Sequence, residues 1–190
     1  IASLMMCVFK INKLKPGSKA VTVETDIYKK YEAAMGGVAY DAENVGTYGD
    51  KLATILTSMT SGTWKWKVTP PNDIPQKLIN KVGVTSGLGP VATVEPVILG
   101  VDWELGGAHW VVVDTVRDFF GTYYATVCDP WDANVHMQSF KTGSPFRYDA
   151  SSGGFNVNFW GTKPKGTLPG QKYSNSSKGQ VKTWGIIARD

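Results

Sequence analysis

The chain has 190 residues with 20 basic and 16 acidic side chains, a net charge of +4, which suits one domain able to bury a sizeable core. No run approaches the roughly 18–20 apolar residues of a membrane span, and the lysines are spread along the chain without a basic helix, finger or aromatic–basic single-strand motif, so the charge reads as a solvated surface and not as a nucleic-acid interface. Two histidines and two cysteines, Cys7 and Cys128, without CxxC spacing are too few and too scattered for a structural zinc site; neither a metal nor an organic cofactor is expected.

The opening Ile1-Ala-Ser-Leu-Met-Met-Cys-Val-Phe9 is apolar but lacks a basic n-region and a small-residue cleavage site, which argues against a signal sequence. Leu4, Met5, Val8, Phe9 and Ile11 instead suit a buried first helix, stopped by Lys15-Pro16-Gly17. A second helix is expected over 24–35, ending at Gly36-Gly37, and a third over 48–59 with Leu52, Ile55, Leu56 and Met59 at helical spacing. Residues 63–68 alternate as a strand with Trp64 and Trp66 on one face. A short helix follows over 73–82, with Asp73 as N-cap and Pro75 in its first turn.

Strands are predicted at 94–101, 109–116, 122–129, 135–140 and 181–188, and long surface loops over the Gly-, Ser-, Asn- and Pro-rich stretch 143–180. Helices first and strands after give an α+β class. The expectation is one domain over 1–190, with a helical lobe at about 1–82 packed on a twisted antiparallel sheet at about 83–190.

The chemistry concentrates in one hairpin. The segments around His109-Trp-Val-Val-Val and Thr-Val-Cys-Asp129-Pro flank a turn containing Arg117-Asp-Phe-Phe-Gly121. A turn centred at Phe119 sets His109 opposite Asp129 on one face, with Cβ atoms roughly 4.5–5.5 Å apart. A carboxylate beside an imidazole fixes its tautomer and stabilises the imidazolium. Asp114 and Asp118 read as hairpin surface or turn residues, and His136 as surface or core. Trp110 and Trp131 read either as walls of the His–Asp site or as ordinary core. Cys7 sits two turns into the first helix between Met6 and Val8, where burial raises a thiol pKa, and Cys128 neighbours Asp129 and so points to the opposite face. Both are core residues on this reading, with Cys7 as a nucleophile and a disulfide between the two as minor alternatives.

Pro96-Val-Ile-Leu-Gly-Val101, the Gly106-Gly-Ala-His109-Trp-Val-Val-Val113 run and Asp129-Pro130 together resemble the second half of papain-like cysteine peptidases, especially the bacterial double-glycine-leader and secreted effector peptidases. The likeness covers about residues 94–141. It implies that His109 and Asp129 are catalytic, that the glycines at 106 and 107 let substrate approach, and that the substrate is a polypeptide bound extended between two lobes. It also implies a secreted bacterial protein. In that family a cysteine opens the first long helix, followed by Trp or Gly, a variable residue, Ala, and Ser or Cys. Ile1-Ala2-Ser3 looks like the continuation of that motif, which places the nucleophile two positions before Ile1, with an oxyanion-hole Gln further upstream. The chain as written then lacks its own nucleophile. Ser3 matches the position after Ala and is a poor nucleophile candidate. Two other classes fit the same residues: a non-catalytic binding module that has kept the fold, and a thiol acyltransferase of the transglutaminase-like kind. No oligomeric state follows.

Overall fold

The computed structural model describes residues 1–14, 18–40, 46–89, 95–103, 108–130, 134–149 and 178–190. It is an α+β fold with four α-helices and eight strands among those residues: α1 (Ala2–Ile11), α2 (Ser18–Ala34), α3 (Gly49–Met59), β1 (Trp64–Lys67), α4 (Ile74–Val82), β2 (Val84–Ser86), β3 (Val97–Trp103), β4 (Ala108–Phe119), β5 (Thr122–Asp129), β6 (Asn134–Phe140), β7 (Arg147–Asp149) and β8 (Lys178–Arg189). None of these helices is long and apolar enough to cross a membrane.

The helices form where apolar residues recur every three or four positions. In α2, Val23, Ile27 and Tyr31 make one buried stripe. That helix begins at Ser18, six residues before the expected start, because no breaker lies between Ser18 and Glu24. It ends as expected, with the Gly37 amide closing onto Glu32 O at 2.8 Å. Asp73 does precede α4, but it closes a short 3-10 turn over Pro71–Asp73 and its side chain makes no cap bond. Pro75, needing no amide partner, takes the first turn.

The strands run in the order β1-β8-β3-β4-β5-β6, with β7 beside β8 and β2 beside β4. Every pairing is antiparallel except the short β2–β4 one. The sheet curls until β6 packs on β7. Neither β2 nor β7 was expected. At three residues each they are too short for an alternation signal, and β7 falls inside the stretch read as loop. The lobes are also less sequential than their expected boundary at 82, because β1 joins the sheet along β8 and α4 covers the sheet's other face.

Alternation along each strand divides the core in two. On one face Ile98, Val112 and Ile187 pack under Leu4, Ile27, Ile55 and Leu56 of α1–α3. On the other, Leu99, Val111, Val113 and Val127 pack with Ile74 and Leu78 of α4 and with Phe146 and Tyr148 from the β7 region. Each fully buried Val or Leu here contributes about 1.5–3 kcal/mol relative to exposure. Lys15-Pro16-Gly17, the Gly106-Gly107 pair, Trp131 and residues 150–177 of the predicted loop lie outside the described residues.

Candidate functional site

The β4–β5 hairpin turns one and a half residues later than expected, about a centre between Phe120 and Gly121. Phe119 pairs with Thr122, leaving Phe120 and Gly121 as a two-residue turn with φ of 53° and 85°. Two positive φ values make the type I′ geometry whose twist matches antiparallel strands. Glycine adopts it freely, whereas Phe120 is held there against its Cβ. The Asp118 Oδ1 accepts the Gly121 amide at 2.8 Å, as a turn aspartate does.

From that turn alone, His109 would fall on the wrong face. The ladder runs Arg117 to Tyr124, Val116 to Ala125 and Thr115 to Thr126, and then slips, so that Val113 meets Val127 and Val112 meets Cys128. Asp114 is the extra residue of a β-bulge, and one extra residue inverts the facing of everything beyond it. Val113 and Val116 consequently share the α4 face although three positions separate them. The bulge thereby returns His109 to the face of Asp129. The expectation that the two are directly opposed is corrected: continuing the ladder, Val111 meets Asp129 and His109 lies one same-face step further along. The diagonal spacing is within reach of an imidazole.

The contact itself is made. His109 Nε2–H donates to Asp129 Oδ1 at 2.7 Å. The Asp129 side chain is 1% exposed and that of His109 12%, so the carboxylate lies under the partly exposed imidazole. The second oxygen is also engaged: Tyr148 OH donates to Asp129 Oδ2 at 2.7 Å. The buried His136 sets its ring edge-on to Tyr148, with centroids 5.6 Å apart at 74°. Strands β4, β5, β6 and β7 thus each bring one polar side chain to the same end of the α4 face. The sequence reading found His109 and Asp129, and placed His136 as surface or core. Tyr148 it missed, because nothing local marks a tyrosine 19 residues past Asp129 in a glycine- and serine-rich stretch.

The other face of the same hairpin is apolar. Trp110 points away from the His–Asp pair and packs edge-on to Trp66, centroids 5.5 Å apart at 76°. Trp66 in turn lies over Gly49, where a Cβ would stand 2.5 Å from the indole. Of its two expected roles, Trp110 has the packing one. Cys7 and Cys128 are both free thiols on this face. Burial pushes the Cys7 thiol well above its ordinary range, and pushes Cys128 up to about 12.

Two tethers set α1 along β4. Ser3 Oγ donates to Trp110 O at 2.7 Å, and Lys10 Nζ pairs with Asp114 Oδ2 at 2.6 Å. The helix therefore runs in the direction of β4, its N-terminus at the His109 end and its positive dipole end there too. The bulge residue Asp114, expected at the surface, is the anchor for the helix's last turn. No known protein family, curated protein or solved structure matches this chain.

Proposed function

We propose that the chain is the main part of a papain-like cysteine peptidase, in which His109 and Asp129 serve a thiol supplied just before α1. The observation that carries this reading is the 2.7 Å His109–Asp129 bond between a buried carboxylate and a partly exposed imidazole. Asp129 takes the Nε2 side, so proton transfer to a reactant runs through Nδ1. The start of α1 is tied to the carbonyl of Trp110, the residue after His109. A thiol at that helix start would lie near the strand end that carries His109, and a helix N-terminus favours a thiolate.

On this reading the thiolate attacks the scissile carbonyl of an extended polypeptide. His109, protonated by that thiol, then gives the proton to the leaving amine as the acyl-enzyme forms. Asp129 holds the imidazole in one tautomer and stabilises the imidazolium between the two steps. Secretion belongs to the same proposal, by resemblance only.

The reading is tested on the natural protein, extended through the residues encoded before Ile1. An epoxide thiol probe should label one cysteine upstream of Ile1 quickly at neutral pH, and His109→Ala should abolish that labelling. If the extended protein carries no thiol that reacts faster than free cysteine, the peptidase reading is wrong. A non-catalytic binding module is the second reading. It is favoured by one observation: the thiols among the described residues, Cys7 and Cys128, lie on the face opposite His109 with their ionisation suppressed by burial.

A further inference from the structure

We infer that Tyr148 is a positioning residue, the third member of a hydrogen-bonded chain that runs Tyr148, Asp129, His109. The inference deepens the function proposed above, but the geometry it rests on does not depend on it. A carboxylate held by one hydrogen bond can rotate about its Cβ–Cγ bond and trade oxygens. Asp129 has each oxygen on a different donor, His109 Nε2–H at Oδ1 and Tyr148 OH at Oδ2, both at 2.7 Å. Its plane is therefore fixed, and with it the tilt of the imidazole.

The Tyr148 ring is itself immobilised. It is 1% exposed, its edge contact with His136 fixes it from β6, and the β7–β8 pairing fixes its backbone through Tyr148 to Gly179. The donors therefore come from strands far apart in the sheet order. The curl of the sheet brings Tyr148 of β7 across to Asp129 of β5. Among the described residues, His109 from β4 and Tyr148 from β7 bond Asp129, and His136 from β6 packs on Tyr148. The charged Lys10–Asp114 pair of α1 and the bulge belongs to the helix face.

The two donors compete for one anion. A stronger bond from Tyr148 draws charge toward Oδ2 and weakens Oδ1 as an acceptor for His109. A missing bond from Tyr148 does the reverse. This coupling can be read directly from the proton resonance of His109 Nε2–H in the chain as it stands. With two histidines in the protein, 15N-histidine labelling gives only four ring nitrogens to assign. In Tyr148→Phe the Nε2 proton should move downfield as its bond to Asp129 tightens. With 3-fluorotyrosine at position 148, whose phenol is the stronger acid and the better donor, it should move upfield. Packing changes alone do not produce shifts of opposite sign from two near-isosteric rings. If Tyr148→Phe does not fold, the fluorinated protein carries the test by itself. A His109 Nε2 resonance that stays in place in the fluorinated protein overturns the proposal. Opposite shifts in a natural, extended protein that has no reactive thiol would uphold the positioning role and remove the peptidase reading.

Discussion

The two faces of the β4–β5 hairpin are built from neighbouring residues and have opposite characters. On the α4 side, His109 and Asp129 join Tyr148 in a chain of short hydrogen bonds. On the helix side, Trp110 and Cys128, each one position away along the strand, pack among Leu4, Cys7 and Val112. A step of one residue moves a side chain from a site organised around an anion to one where an anion is suppressed. Burial acts on both. It is offset at the carboxylate, where both oxygens have donors, and it raises the cysteine thiols, where desolvation and the charge of Asp114 outweigh the opposing Lys10.

The sharpest way to break this contrast is to remove the anion. Asp129→Ala leaves the Tyr148 hydroxyl and the His109 imidazole facing a buried cavity, and should cost about 3–5 kcal/mol. Urea unfolding measures it. A loss below about 1 kcal/mol would mean that water reaches both partners and that the face is not organised around the carboxylate.

The helix face should respond to alkali. A thiol raised by burial holds its proton more tightly folded than unfolded, so its contribution is complete below the ordinary thiol value of 9.0 and is lost as pH rises above it. For Cys7 the slope is roughly 1.4 kcal/mol per pH unit, with Cys128 adding to it until its own value near 12 is reached. Unfolding midpoints at pH 8, 9 and 10 should fall steadily in the native chain and less steeply in Cys7→Ala. Equal slopes in the two proteins would show that the thiol ionises without unfolding anything.

How far these faces were legible in advance depends on what each required. The alternation of Thr122 to Asp129 marks a strand whose ends agree with the structure, and the stripe of α3 marks its helix to within a residue, whereas α1 ends at Ile11, before the Lys15-Pro16-Gly17 stop. His109 and Asp129 were found because a His and an Asp on paired strands need only the right parity. The register was not legible, since periodicity says which residues alternate and not how two strands are offset. The later turn and the bulge at Asp114 each shift the ladder, and together they leave an even offset of two residues, which is why the pair survived an incorrect alignment. Tyr148 required the curl of the whole sheet, and no local pattern carries that.

Between the faces stands the tie from α1 to β4. Ser3 is 4% exposed and its hydroxyl satisfies Trp110 O. Ser3→Ala should cost about 1 kcal/mol, visible as a lower urea midpoint, and should loosen the start of α1. Faster amide exchange over residues 4–7, with β5 exchange unchanged, would be the signature. Uniform acceleration over the sheet would mean that the tie serves the fold at large and not the meeting of helix and strand.

The smallest expected effect bears on how the two faces are sorted in the first place. The hairpin turn fixes the phase of the ladder, and the bulge at Asp114 corrects it once. If turn and bulge set the facing independently, relaxing the turn should change stability without touching the site. Phe120 offers that test, because it sits at φ 53° with its side chain fully exposed and so pays backbone strain without any packing return. Phe120→Asn places Asn-Gly in a type I′ turn and should stabilise the protein by roughly 1 kcal/mol. The His109 Nε2 resonance should not move, since the ladder from Phe119–Thr122 onward keeps its phase. A gain in midpoint with the resonance unchanged would separate the turn's energetic role from the bulge's geometric one. A gain accompanied by a shifted or lost resonance would show that strain at Phe120 is what holds the bulge at Asp114, and that the phase of the site is set from the turn after all.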